Sequence, residues 1–174
     1  MRLFIGFIIS VLVCFSSPPL KADAYLKVNG PIDPALTEVV FRNSEKVKPE
    51  IFENNHHAII KCYKISGGYL TFISSGEGLF KGYELNKSIP PELLNKNLPL
   101  VDEVVQNKAG IHLGLPSNTV ERIINHDLLH VETMLSYEST QKINGMPYDV
   151  ISTVIIRFEN GKLVKFLVIT STTS

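Results

Sequence analysis

The chain has 174 residues, 44% of them hydrophobic and 20% charged, with 17 basic side chains balanced by 17 acidic ones. This balance excludes the basic field that draws proteins to nucleic acid or to anionic membranes. The length suits one ordinary domain with a sizeable core.

Residues 1–24 read as a signal peptide. Arg2 supplies the positive start, residues 3–15 form an apolar run, and Pro18-Pro19 break the helix. Ala22-Asp-Ala24 then gives the small-x-small cleavage pattern, with Tyr25 as the expected mature start. Cys14 lies inside the apolar run between Val13 and Phe15. That context does not suit lipidation, so no stable membrane anchor is expected after cleavage. Loss of Arg2, Lys21 and Asp23 changes the net charge from 0 to −1. The mature chain keeps one cysteine, Cys62, in an apolar segment, and a buried thiol is the expected state. The expected organisation is a leader over 1–24 and a single α+β domain over 25–174, located in the bacterial periplasm or secreted.

Asn29-Gly-Pro31 and Asp33-Pro34 mark turns. Residues 36–47 suit a helix opened by Asp33, although Val39-Val40-Phe41 suits a short strand equally well. Residues 58–65 and 69–74 read as strands joined by Ser66-Gly67-Gly68, and residues 79–85 as a third. Ile111 and Leu113 have the spacing of a short strand. Gly110 and Gly114 are free to take backbone angles closed to other residues. Ser117 or Asn118 is placed to cap a helix, and Asn118 with Glu121 has the spacing of a capping box. Val120, Ile123 and Ile124 form its apolar stripe. Leu129, Val131, Leu135 and Tyr137 alternate with polar residues, as in a half-buried strand. Strands are expected again over 150–158 and 163–170, around a turn at Glu159-Asn160-Gly161. The last has apolar residues at both parities, which suits a strand covered on both faces. The hairpin signals around 70–85 and 156–169 also resemble one another, as two related halves of one sheet would. The fold class expected is therefore α+β, an antiparallel sheet with one or two helices on one face.

Gly110-Ile-x-Leu-Gly114-x-x-Ser117-x-x-Val120, followed by a helix, strands and Phe158-x-x-Gly161-Lys-Leu163, resembles modules of the SmpA/OmlA outer-membrane assembly lipoproteins and the related β-lactamase-inhibitor-protein modules. The match runs over roughly residues 110–170. The resemblance implies a glycine-framed segment leading into a helix packed on an antiparallel sheet. It also implies an envelope protein that binds another exported or envelope protein rather than catalysing a reaction.

Chemistry-bearing patterns are few. His126 and His130 have the four-residue spacing with which a helix presents two zinc ligands. On a strand that spacing holds them about 13 Å apart, too far for one ion. A metal-dependent hydrolase using this pair is the runner-up function, and His56-His57 and His112 are unforced further ligands. No Ser lies in Gly-x-Ser-x-Gly. Gly76-Glu-Gly78 joins two strands, so it lacks the helix dipole of a phosphate loop. Glu132 and Glu138 fall about 20 Å apart on one strand face, too wide for a carboxylate pair. Tyr63, Tyr69 and Tyr83 suit a sheet surface, and a small-ligand binder using the concave sheet face is a third possibility. No cofactor is expected.

Overall fold

The computed structural model describes residues 24–41, 48–53, 58–75, 80–94, 96–128, 131–143 and 145–173. The expected leader, apart from Ala24, lies outside them, as do His56, His57 and His130. No helix among the described residues is long and apolar enough to cross a membrane.

Eleven strands are described: β1 Ala24–Asn29, β2 Val39–Val40, β3 Glu50–Glu53, β4 Ala58–Ile65, β5 Gly68–Ser75, β6 Phe80–Asn86, β7 Leu100–Val101, β8 Gln106–Asn107, β9 Glu132–Ile143, β10 Met146–Glu159 and β11 Lys162–Thr173. Two α-helices accompany them, α1 Pro34–Thr37 and α2 Ser117–Ile124. A 3-10 turn covers Pro91–Leu93.

The main sheet has nine strands in the order β1-β9-β10-β11-β6-β5-β4-β3, with β7 beside β4. It is mixed, because β1 runs parallel to β9 and β7 parallel to β4. Its centre is two three-stranded meanders, β4-β5-β6 and β9-β10-β11, which meet where β6 pairs with β11. β2 and β8 form a separate two-stranded ribbon.

This corrects the α+β expectation: the chain is mostly β, with little helix. The reason lies in short strands at 24–29, 39–40, 50–53, 100–101 and 106–107, which are too brief to show a period of two. The helix expected over 36–47 stops after Thr37. Asp33 does open it, its side chain accepting from Ala35 N at 2.8 Å. The β-branched pair Val39-Val40 then extends to meet Gln106 and Asn107. Residues 111–113 are no strand; they form an irregular loop and turn.

β-branched residues drive the central strands. Every residue from Val150 to Ile156 in β10 is buried, and so is every residue from Leu163 to Ile169 in β11. Both faces of these strands are therefore covered. On the first face Tyr83, Leu85, Leu135, Val154, Ile156 and Phe166 belong to one core with Leu36, Ile111, Val120 and Ile124. Burying Val120 and Ile124 contributes about 1.5–3 kcal/mol each, which is what seats α2. On the second face Ala58, Ile73, Met134, Ile155, Leu167 and Ile169 form a cluster drawn from strands alone. Further along that face Cys62 packs with Leu93 of the 3-10 turn and with Leu98 beyond it.

Candidate functional site

The two halves of the glycine-rich pattern meet in space. Gly114 N donates to Leu163 O at 2.8 Å, Leu163 N to Leu115 O at 2.8 Å, and Ser117 N to Gly161 O at 3.0 Å. The loop thus docks on the β10–β11 turn and delivers the chain into α2. Gly110 N donates to Asn107 O at 2.9 Å. Val120 and Phe158 are buried in the first-face core. All of these residues build scaffold.

The helix cap differs from the expected one. Pro116 occupies the cap position, no side chain caps the helix, and Ser117 is its first residue. The Asn118–Glu121 box does not form. Glu121 reaches forward instead, accepting from Leu128 N at 3.3 Å. Proline suits this entry because its fixed φ of −61° and extended ψ aim the next residues into the helix.

Gly114 has φ +86°, and a Cβ there would meet nothing within 4 Å. Backbone strain rather than crowding opposes substitution. Gly114→Val is expected to cost about 1–3 kcal/mol and visibly lower the thermal midpoint. An unchanged midpoint would show that the loop tolerates a β-branched residue at positive φ.

Away from α2, toward Ser74, Lys81 and Thr170, the first face is only partly filled by side chains. Residues 31–41 arch over part of it and leave an open-sided cavity of about 1040 Å³ between this roof and the sheet. Hydrogen bonds, an ion pair and a ring contact hold the roof. Tyr83 Oη donates to Leu36 O at 2.6 Å, and Asn107 Nδ2 donates to Tyr83 Oη at 3.1 Å. Lys108 N donates to Glu38 O at 2.8 Å and Ala109 N to Ala35 O at 3.1 Å. Glu38 and Lys108 also form an ion pair. Phe41 meets Tyr63 edge-on, ring centroids 4.9 Å apart, and Tyr63 meets Phe72 at 6.3 Å. Tyr63 and Tyr83 are thus buried posts of the roof rather than surface decoration; Tyr69 lies half-buried on the opposite face.

Strand register gives the cavity two chemically distinct lines. In one, Phe72 faces Tyr83 and Tyr83 faces Val168. In the next, Ser74 faces Lys81, Lys81 faces Thr170, and Thr170 faces Ser152. The hydroxyls of Ser152 and Thr170 lie 3.0 Å apart. Ser139 and Gln141 of β9 and Thr172 of β11 extend the polar side, while Ile32 and Val39 are apolar contributions from the roof.

Burial pushes the Tyr83 phenol well above its ordinary range, with the Asn107 hydrogen bond opposing slightly. Burial also raises Tyr63 and Tyr137, the latter with help from the charge of Asp33. The unfolded chain ionises these phenols near pH 10 while the folded chain keeps its protons. Stability is therefore complete below about pH 10 and falls as pH rises through that value toward the raised folded ones. Urea midpoints measured from pH 8 to 11 are expected to drop steeply at the alkaline end. Tyr83→Phe should flatten that drop while lowering stability at neutral pH, because Leu36 O and Asn107 Nδ2 lose the Tyr83 hydroxyl and keep a bond to each other at 3.4 Å.

The second face carries a buried polar row that sequence reading missed. Cys62 Sγ lies 3.4 Å from Thr71 Oγ1. Thr71 faces Glu84 across the β5–β6 pair. Glu84 meets Lys165 Nζ at 3.4 Å and accepts from Asn86 Nδ2 at 2.9 Å. Burial raises the Cys62 thiol, which keeps it from the thiolate form that reacts.

The histidine pair is not assembled by what is described. His126 follows the end of α2, its backbone N bonded to Glu121 O at 3.3 Å, and His130 lies outside the described residues. His112 Nδ1 lies 2.9 Å from Leu113 O. Among the described residues no three His, Cys, Asp or Glu side chains cluster as a metal site would need. Glu132 is buried, whereas Glu138 pairs with Lys27 at 2.6 Å.

No protein-family model, curated protein or solved structure matches the chain.

Proposed function

We propose that this chain is an exported, non-enzymatic binding protein of the bacterial envelope or exterior, and that it takes a small amphipathic ligand into the roofed cavity. The observation that carries this reading is the cavity itself. Its volume of about 1040 Å³ lies at the upper end of ordinary ligand pockets, and it pairs an apolar line with a polar one. The leader pattern at Ala22-Asp-Ala24 supports export. Cleavage there would retain β1 from Tyr25 onward. A binding role also accords with the behaviour implied by the SmpA/OmlA-like residues.

The test is uptake of the neutral fluorophore N-phenyl-1-naphthylamine. Saturable binding is expected, and Thr170→Trp, which fills the cavity from the central strand, should abolish it while leaving the circular dichroism spectrum intact. Absence of saturable uptake, or uptake indifferent to the plug, would overturn the reading.

A second reading, docking of another exported protein, has its own observation. Among the described residues β1 and β3 each pair on one side only. They expose Tyr25, Leu26 and Ile51 at 51%, 39% and 57%. Unpaired strands of this kind are templates for strand addition. Ile51→Lys should abolish such docking without affecting fluorophore uptake.

A further inference from the structure

We infer that the ligand of this cavity carries a single negative head group, as a fatty carboxylate does, bound at Lys81 with its tail against the half-buried Phe72, Ile32 and Val39. The inference rests on the cavity-binding reading above and adds the chemical class of the ligand. Three observations carry it.

The first is the charge left over after pairing. Among the described residues, Lys61, Lys81 and Glu38 are the charged side chains lining the cavity. Glu38 is paired with Lys108. Neither Lys61 nor Lys81 forms an ion pair among the described residues, and both are exposed. Among the described residues, the cavity lining therefore carries two exposed ammonium groups without an acidic partner. An anion there neutralises charge without having to break an existing pair.

The second is the company Lys81 keeps. Register sets its ammonium-bearing chain between Ser74 and Thr170, with Ser152 next in line. A hydroxyl donates one proton and rotates to suit its acceptor. One ammonium and a row of hydroxyls match the two oxygens of a carboxylate. Among the described residues the lining has no guanidinium, whose planar fork favours bidentate phosphate recognition.

The third is the direction of polarity. The line beside the hydroxyl row is Phe72, Tyr83 and Val168, and Tyr83 spends its hydroxyl on Leu36 O. Tyr83 and Val168 are each 2% exposed and form the floor beneath, so half-buried Phe72 is the member of the line that meets a ligand. Ile32 and Val39 close this side from above. An acyl chain lies against these groups while its head stays at the wet mouth.

Isothermal titration of the full mature chain with dodecanoate, dodecanol and dodecyltrimethylammonium tests the assignment. Dodecanoate is expected to bind tightest and to weaken as salt rises. Lys81→Met should weaken dodecanoate about tenfold, the loss expected of one charge-assisted hydrogen bond, and leave dodecanol unchanged. Lys61→Met, one line away from the hydroxyl row, should have a smaller effect. Equal binding of dodecanoate and dodecanol, with no effect of Lys81→Met, would overturn the head-group assignment and leave the cavity reading standing. No binding of any of the three, or binding unaffected by Thr170→Trp, would overturn both.

Discussion

Lys165→Met is expected to destabilise the fold by about 3–5 kcal/mol. Lys165 and Glu84 are 4% and 2% exposed, and their charged atoms lie 3.4 Å apart on the second face. Two charges withdrawn from water are tolerated only while each compensates the other. The methionine side chain fills much of the lysine's volume, so little of the loss would come from packing. It would come from the Glu84 carboxylate, left with Asn86 Nδ2 as its remaining hydrogen-bond donor among the described side chains. The double variant Lys165→Met, Glu84→Leu removes both charges and should recover most of the loss. Urea unfolding of the two variants checks this. Equal destabilisation of single and double variants would show that packing, not charge, is what the pair supplies.

Gly82→Ala is expected to cost about 3 kcal/mol, at the upper end of what overpacking does. For a chain of this size that lowers the thermal midpoint by roughly 6–12 °C. A Cβ at Gly82 would sit 2.0 Å from Val168 O and 2.9 Å from Ile169 Cα. These are backbone atoms of β11 and cannot swing aside as a side-chain tip would. Gly82 pairs with Ile169 at the seam where the two meanders meet. The strands would have to separate there, loosening both the β6–β11 ladder and the cavity floor. Gly114 is the opposite case, with open space around it and a strained φ. A differential scanning calorimetry trace with an unshifted midpoint for Gly82→Ala would contradict the close approach.

The strands with strong alternation were readable from the sequence. Residues 58–65, 69–74 and 150–158 fall within β4, β5 and β10, and the absence of alternation in 163–170 matches a strand buried on both faces. Where the residues gave out, so did the reading. β9 continues to Ile143 through Ser139-Thr-Gln-Lys142, whose polar side chains look like a loop but lie where one strand face meets the cavity or solvent. β1 shows nothing in sequence because Tyr25-Leu-Lys-Val-Asn29 is short and largely exposed. The capping residue was misjudged because Pro116 precedes two good cap formers and takes the position by its own backbone angle. The cavity was invisible for a different reason. Its polar line draws one residue from each of four strands, and only the register of three ladders aligns them. Lys165 is similar: a charged residue in a strand reads as solvent-facing until the partner strand places Glu84 beside it.

The knot of Leu36, Tyr83 and Asn107 has a kinetic consequence. Its bonds join residues 47 and 71 apart in sequence, whereas the β4–β5 hairpin turns within two. Closing such long loops is entropically costly before any contact rewards it, and chains dominated by distant pairings fold slowly. The hairpins are therefore expected to form early and the arch over residues 31–41 late. Until the segment around Asn107 is in place, the sheet face bearing Phe72, Val150 and Val168 stands open to water. During that interval the same surface that would later receive a ligand is available to any apolar chain nearby, so the time taken to close the arch sets how long the protein is exposed to aggregation.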